Sequence, residues 1–138
     1  MATIEIETAR RPVEAVRPLT GREVAVAVRH ARDEGHELAL DLSGLKRIVI
    51  DPQQRTARLQ AGATPDELQA AAGYWGLAAL ADRRGLEPAN LLAAQVVLPD
   101  AELVDPGAEL LHEIRTGRAA GIVVDATHRL HNAAERRR

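Results

Sequence analysis

The stretch from Asp41 to Leu77 constrains this chain most, because it holds two strand patterns, a turn between them and a helix marked at both ends. Leu45, Ile48 and Ile50 carry the first strand, and Ala57 and Leu59 the second. Between them, Asp51-Pro52-Gln53-Gln54 is a turn sequence: Pro52 presets φ, and the Asp51 carboxylate can accept from the backbone that follows. Thr64-Pro65-Asp66-Glu67 then opens a helix, with Thr64 as N-cap, Pro65 at the first helical position and Glu67 placed to complete a capping box. Leu68, Ala71, Ala72 and Trp75 recur at helical spacing, and Gly76 ends the run.

In their order and spacing these residues resemble the flavin-binding domain of the FAD-linked oxidases, the berberine-bridge-enzyme-like group with a PCMH-type domain. The likeness is carried by Asp41, Leu42 and Ser43, by Asp51, Pro52, Thr56 and Ala57, by Gly62, Ala63 and Thr64, and by Gly76 and Leu77. It extends to Val16-Arg17-Pro18, to the block from Gly85 to Leu98, and to the strand from Gly121 to His131. The resemblance implies an α+β fold: a compact α/β sandwich of mixed and antiparallel strands with three helices, a trimmed form of that domain. It also implies that FAD, if bound at all, meets the backbone of Gly121, Ile122 and Val123, which match the family's adenine-side contact.

The chain departs from the family where the family holds its flavin. There, the strand after the first helix runs into a glycine-rich loop that cradles the pyrophosphate and often ends in the histidine that carries the flavin. Glycine serves such a loop because it lets backbone N–H groups approach phosphate closely. Here Leu38-Ala39-Leu40 passes straight into Asp41-Leu42-Ser43, and His36 lies before the strand. A second glycine-rich segment is reduced to the residues from Ala78 to Gly85. A third is replaced by Arg115-Thr116-Gly117-Arg118-Ala119-Ala120-Gly121. The resemblance ends at His131, and no substrate domain is expected to follow.

The rest of the chain supplies ordinary scaffold signals. Thr3 to Glu7 alternates as a strand would. Thr20-Gly21-Arg22-Glu23 is a further capping box, Val24, Ala27, Val28 and Ala31 share a helical face, and Gly35 suits the C-cap. A strand from His36 to Leu42 completes a small βαβ unit. Ala101 stands in a hairpin turn where glycine is usual. Asp105-Pro106 starts a helix with Leu110, Leu111 and Ile114 on one face, closed by Gly117. Helices are therefore expected near residues 20–34, 64–75 and 106–116. Ile122, Val124, Ala126, His128 and Leu130 alternate onto one face of the last strand, and 132–138 reads as a flexible basic tail of one domain spanning 1–138.

Composition excludes several functions. A net charge of -2 gives no general attraction to nucleic acid or to an anionic membrane. Tyr74 and Trp75 are the only aromatics, which leaves no platform for base stacking and reads as a helix end turned to the core. Without cysteine there is no disulfide frame and no thiolate metal site. His30, His36, His112, His128 and His131 lack carboxylate partners at ligand spacing, so no metal is expected. Ser43, the one serine, sits in a turn and not in a nucleophile elbow.

Apolar runs too short to span a bilayer point to the cytoplasm. No catalytic residue can be named. The reading is thus a cofactor-free descendant of an oxidase flavin domain, a small-molecule-binding, accessory or assembly protein, homodimeric through surfaces the lost loops uncover. The alternatives are a minimal or partner-completed FAD-dependent oxidoreductase, and a cofactor-independent enzyme such as a cyclase.

Overall fold

A computed structural model of the chain describes residues 11–82, 84–118 and 120–136. The strand expected at Thr3–Glu7 lies outside them. Strand β1 (Val13–Val16), helix α1 (Gly21–Glu34) and strand β2 (Glu37–Leu40) form the expected βαβ unit, with β1 and β2 parallel. Thr20 caps α1 by accepting from the Glu23 N–H, and Gly35, at φ 67°, ends it in the left-handed conformation. After β2 the chain makes a short 3₁₀ turn, Leu42–Gly44, before strand β3 (Ile48–Asp51). Leu45 thus falls outside the strand that the sequence pattern gave it. It is fully buried instead, against Val24, Val97 and Val124.

Strand β4 (Thr56–Gln60) returns antiparallel to β3. The Asp51 carboxylate closes the turn as expected, accepting from the N–H groups of Gln53 and Gln54. Helix α2 (Pro65–Gly73) carries the full capping box of Thr64 and Glu67. It stops short of Trp75 because Trp75 and Gly76 donate to Ala72 and Gly73, tightening the last turn, and Gly76 then turns left-handed at φ 71°. Trp75 consequently leaves the buried face: it is 52% exposed and Tyr74 83%. The expectation of a core aromatic pair is corrected. The two rings pack edge to face at 5.3 Å on the surface.

Short strands β5 (Leu77–Ala78), β6 (Ala81–Asp82) and β7 (Gly85–Leu86), the last two paired with each other, precede strand β8 (Leu91–Val97) and strand β9 (Leu103–Val104). The β8–β9 turn puts Ala101 at φ 70°, a glycine-like conformation at the position read as a substituted turn glycine. Helix α3 (Ala108–Arg115) follows, with Gly107 as its N-cap. It rests on the sheet without a fully buried residue, and Arg115 ties it down by donating to the Leu91 carbonyl. Strand β10 (Ile122–Arg129), strand β11 (His131–Asn132) and a short helix α4 (Ala133–Arg136) complete the described chain.

The main sheet has five strands in the order β3-β4-β10-β8-β9, each pair antiparallel. Alternation on β4 sends Ala57 and Leu59 to a core shared with Leu68, Ala72 and Leu130, under α2. Arg58 and Gln60 therefore point to the other face, where α1 begins at Gly21. Strand β10 breaks its own alternation. Val123 pairs with Val96 and Asp125 with Gln95, so Val124 is an extra residue in a β-bulge. Val124 joins the α1 core, while Leu130 joins the α2 core, and a further irregularity lies between Thr127 and His128. The expectation of one continuous apolar face on this strand is thus corrected: the bulge switches it between two cores. The fold is the α+β sandwich that the sequence implies.

Candidate functional site

Two places decide whether the fold can hold a dinucleotide, and a third offers a cleft. The first is the link after β2. The Asp41 N–H donates to the Val16 carbonyl, the Ser43 N–H to the Asp41 carboxylate and the Leu45 N–H to the Leu42 carbonyl. These donors are committed to closing the turn. The Ser43 bonds, with Arg17 nearby, hold the Asp41 carboxyl below its usual range. Neighbouring backbone fills the remaining space. A Cβ on Gly44 would stand 2.9 Å from the Pro18 carbonyl oxygen, and one on Gly62 2.1 Å from that of Leu42. The chain segments at Pro18, Gly44 and Gly62 stack without a gap, which is why the latter two positions are glycine.

The second place is the connection between α3 and β10. The N–H groups of Thr116, Gly117 and Arg118 donate to the carbonyls of His112, Ile114 and Glu113. They cap the end of α3. Gly121, at φ 132°, has Val96 Cγ1 and the Val97 carbonyl oxygen each 2.9 Å from where its Cβ would be. Its glycine is explained by close packing on β8. Ile122 and Val123 run in the ladder opposite Val97 and Val96, and Ile122 packs against the α1 core.

The third place is a cleft of 340 Å³ over the α1 face of the sheet. It is lined by Arg47, Val49, Arg58, Gln60, Gln95 and Asp125, together with Gly21 and Val124. The bulge in β10 turns Asp125 toward β4, where Arg58 Nε stands 3.0 and 2.9 Å from its two oxygens. Gln60 Oε1 accepts the Arg47 N–H at 2.9 Å. Alternation on β4 places Arg58 and Gln60 together in the sequence, but their partner Asp125 becomes visible only with the β4–β10 register. The sequence reading missed this group for that reason.

The histidines divide. Glu14 Oε1 meets His30 Nδ1 at 2.6 Å, and its Oε2 stands 3.2 Å from His36 Nδ1 without hydrogen-bond geometry. This cluster ties β1 to α1 and to the start of β2. His128 Nδ1 and His131 Nε2 are buried without a partner, and burial pushes the His128 pKa down. Among the described residues no group of histidine and carboxylate side chains is arranged to hold a metal ion. No helix there is long and apolar enough to cross a membrane.

No protein-family model and no curated protein sequence matches the chain. Solved structures do. Against 6-hydroxy-D-nicotine oxidase from Arthrobacter nicotinovorans the TM-score is 0.74 at 21% identity, covering 90% of this chain and 37% of that one. BBE-like #28 from Arabidopsis thaliana gives 0.78 at 22%, covering 88% and 35%. Berberine bridge enzyme from Eschscholzia californica gives 0.76 at 19%, covering 88% and 34%. The chain has the fold of a PCMH-type flavin domain. More particularly, it is the fold of the berberine-bridge-enzyme-like FAD-linked oxidases, of whose length it spans about a third.

That fold implies FAD, and the residues present fit it poorly. A pyrophosphate needs convergent, uncommitted N–H donors. At both connections the N–H groups named above are already bonded, and Gly44 and Gly121 face packed neighbours, while Gly117 is open but its N–H caps α3.

Proposed function

We propose that the chain is a flavin-free form of the FAD-linked oxidase fold, serving in the cytoplasm as a small-molecule-binding, accessory or assembly protein. The observation that supports it best is the committed backbone after β2, where Asp41, Ser43 and Leu45 bond within the turn. A loop that once opened toward phosphates has become a structural corner. The scaffold beneath it keeps its sheet order and both cores, so the fold no longer depends on a cofactor to fill its centre.

Self-association belongs to the same proposal. Among the described residues, Tyr74 and Trp75 at the end of α2 and Leu80 are exposed apolar side chains, and β3 is a sheet edge with no strand paired to its outer side. Such surfaces favour pairing with a second copy. Sedimentation velocity should give the mass of a homodimer at micromolar concentrations, and a monomer throughout that range would remove this part. For the flavin, the purified protein should be colourless and stay so after incubation with FAD and desalting. A retained flavin spectrum would instead favour an FAD-dependent oxidoreductase, complete or completed by a partner chain.

A further inference from the structure

We propose that the cleft over the α1 face of the sheet binds a small organic carboxylate between the guanidinium groups of Arg47 and Arg58. The inference rests on the reading of this chain as a flavin-free binding protein and names the chemistry of its ligand.

Arg47 and Arg58 line the cleft against the single carboxylate of Asp125, so one positive charge is left unmatched. Arg58 Nε occupies both Asp125 oxygens, which fixes the plane of the guanidinium. The terminal nitrogens of Arg58 have no partner among the described residues, nor has the Arg47 side chain. Gln60 has its oxygen turned to the Arg47 N–H, which leaves its amide nitrogen as a further donor. The cleft therefore presents donors and one net positive charge.

Shape and chemistry then select the ligand class. A guanidinium held in plane presents paired N–H groups that match a carboxylate, and an arginine oriented by a carboxylate loses less freedom on binding. One unmatched charge suits a monoanion better than a phosphate dianion. Val49 and Val124 give the ligand's hydrocarbon part an apolar contact. The cleft's 340 Å³ falls at the small end of ligand sites, which run from roughly 300 to 1,000 Å³.

The test is a titration followed by NMR on the arginine Nε–Hε signals, with benzoate as probe, benzamide as its neutral counterpart and inorganic phosphate as the competing anion. Benzoate should shift the Arg47 and Arg58 signals saturably, benzamide should not, and phosphate should bind more weakly. Arg47→Gln, an exposed side chain with no partner to lose, should weaken benzoate at least tenfold. Arg58→Lys keeps the charge and should also weaken it, while Arg32→Gln at the far end of α1 should change nothing. Shifts that do not saturate, equal shifts with benzamide, tighter binding of phosphate, or an Arg47→Gln variant that binds as the parent does would each overturn the proposal. The titration contains no flavin, so a failure here leaves the flavin-free reading intact, and flavin retention would be seen separately in the absorption spectrum.

Discussion

Gly62→Ala should destabilise the protein by about 2 kcal/mol, although alanine stabilises when it replaces glycine at an unhindered site. The added Cβ would stand 2.1 Å from the Leu42 carbonyl oxygen and 2.7 Å from that of Leu45. The first distance is about 1 Å inside any tolerable contact, so the 3₁₀ turn must move. Movement stretches the Gly62 N–H bond to the Leu45 carbonyl, now 2.7 Å, and loosens Leu45 in the α1 core. Overpacking of this kind costs about 1–3 kcal/mol and a lost hydrogen bond about 0.5–1.5. Reduced freedom of the unfolded chain returns about 0.4–1 kcal/mol. The net loss is thus roughly 0.5–4 kcal/mol, centred near 2. Gly73→Ala is the internal control. Gly73 ends α2 with nothing within 4 Å of its missing Cβ, so the same change there should be neutral or stabilising by up to about 1 kcal/mol. Urea midpoints of both variants decide the matter. A Gly62→Ala protein within about 0.5 kcal/mol of the parent would refute the stacked corner.

Further outcomes follow from individual side chains. Thr64→Ala removes the acceptor for the Glu67 N–H and should cost about 1 kcal/mol in urea unfolding; no change would mean the capping box is idle. His128 is half-buried with its Nδ1 enclosed and unpartnered, and its pKa is lowered, so the unfolded chain takes up a proton that the folded chain refuses. Stability should fall as pH drops below the ordinary histidine value of 6.5 and level off below the folded pKa, and His128→Leu should flatten that slope. The lowered Asp41 and Glu67 carboxyls act on a separate acid limb, adding stability above their ordinary values that is lost as pH falls past them. Trp75, the one tryptophan, is half exposed in the single chain, so in the homodimer its emission should be protected from acrylamide and should redden on dilution; red, freely quenched emission at every concentration would take its surface out of the dimer contact.

Much of the fold was legible because local chemistry and tertiary packing agree. The capping residues Thr20 and Thr64 placed α1 and α2, Asp51 placed the β3–β4 turn, and the glycine-like turn at Ala101 was marked by its setting. What escaped depends on register. The bulge at Val124 has no local signature, yet it decides which core each half of β10 joins and brings Asp125 to Arg58. Leu45 and Trp75 were assigned by periodicity, and each fell just outside its element, where the chain's direction and not its period sets burial. The shortened connections were visible in the sequence. That the N–H groups of Asp41, Ser43 and Leu45 are spent on the turn after β2, and those of Thr116, Gly117 and Arg118 on the end of α3, depends on the folded backbone and has no mark in the residue order.

The central claim is that these shortened connections leave no flavin site, and isothermal titration of the purified protein with FAD tests it most directly. Binding no tighter than about millimolar, near -4 kcal/mol, is predicted, because the N–H groups of Asp41, Ser43, Leu45, Thr116, Gly117 and Arg118 are already bonded and association itself costs several kcal/mol. A micromolar dissociation constant would contradict the account and return the chain to the flavoenzymes whose fold it shares.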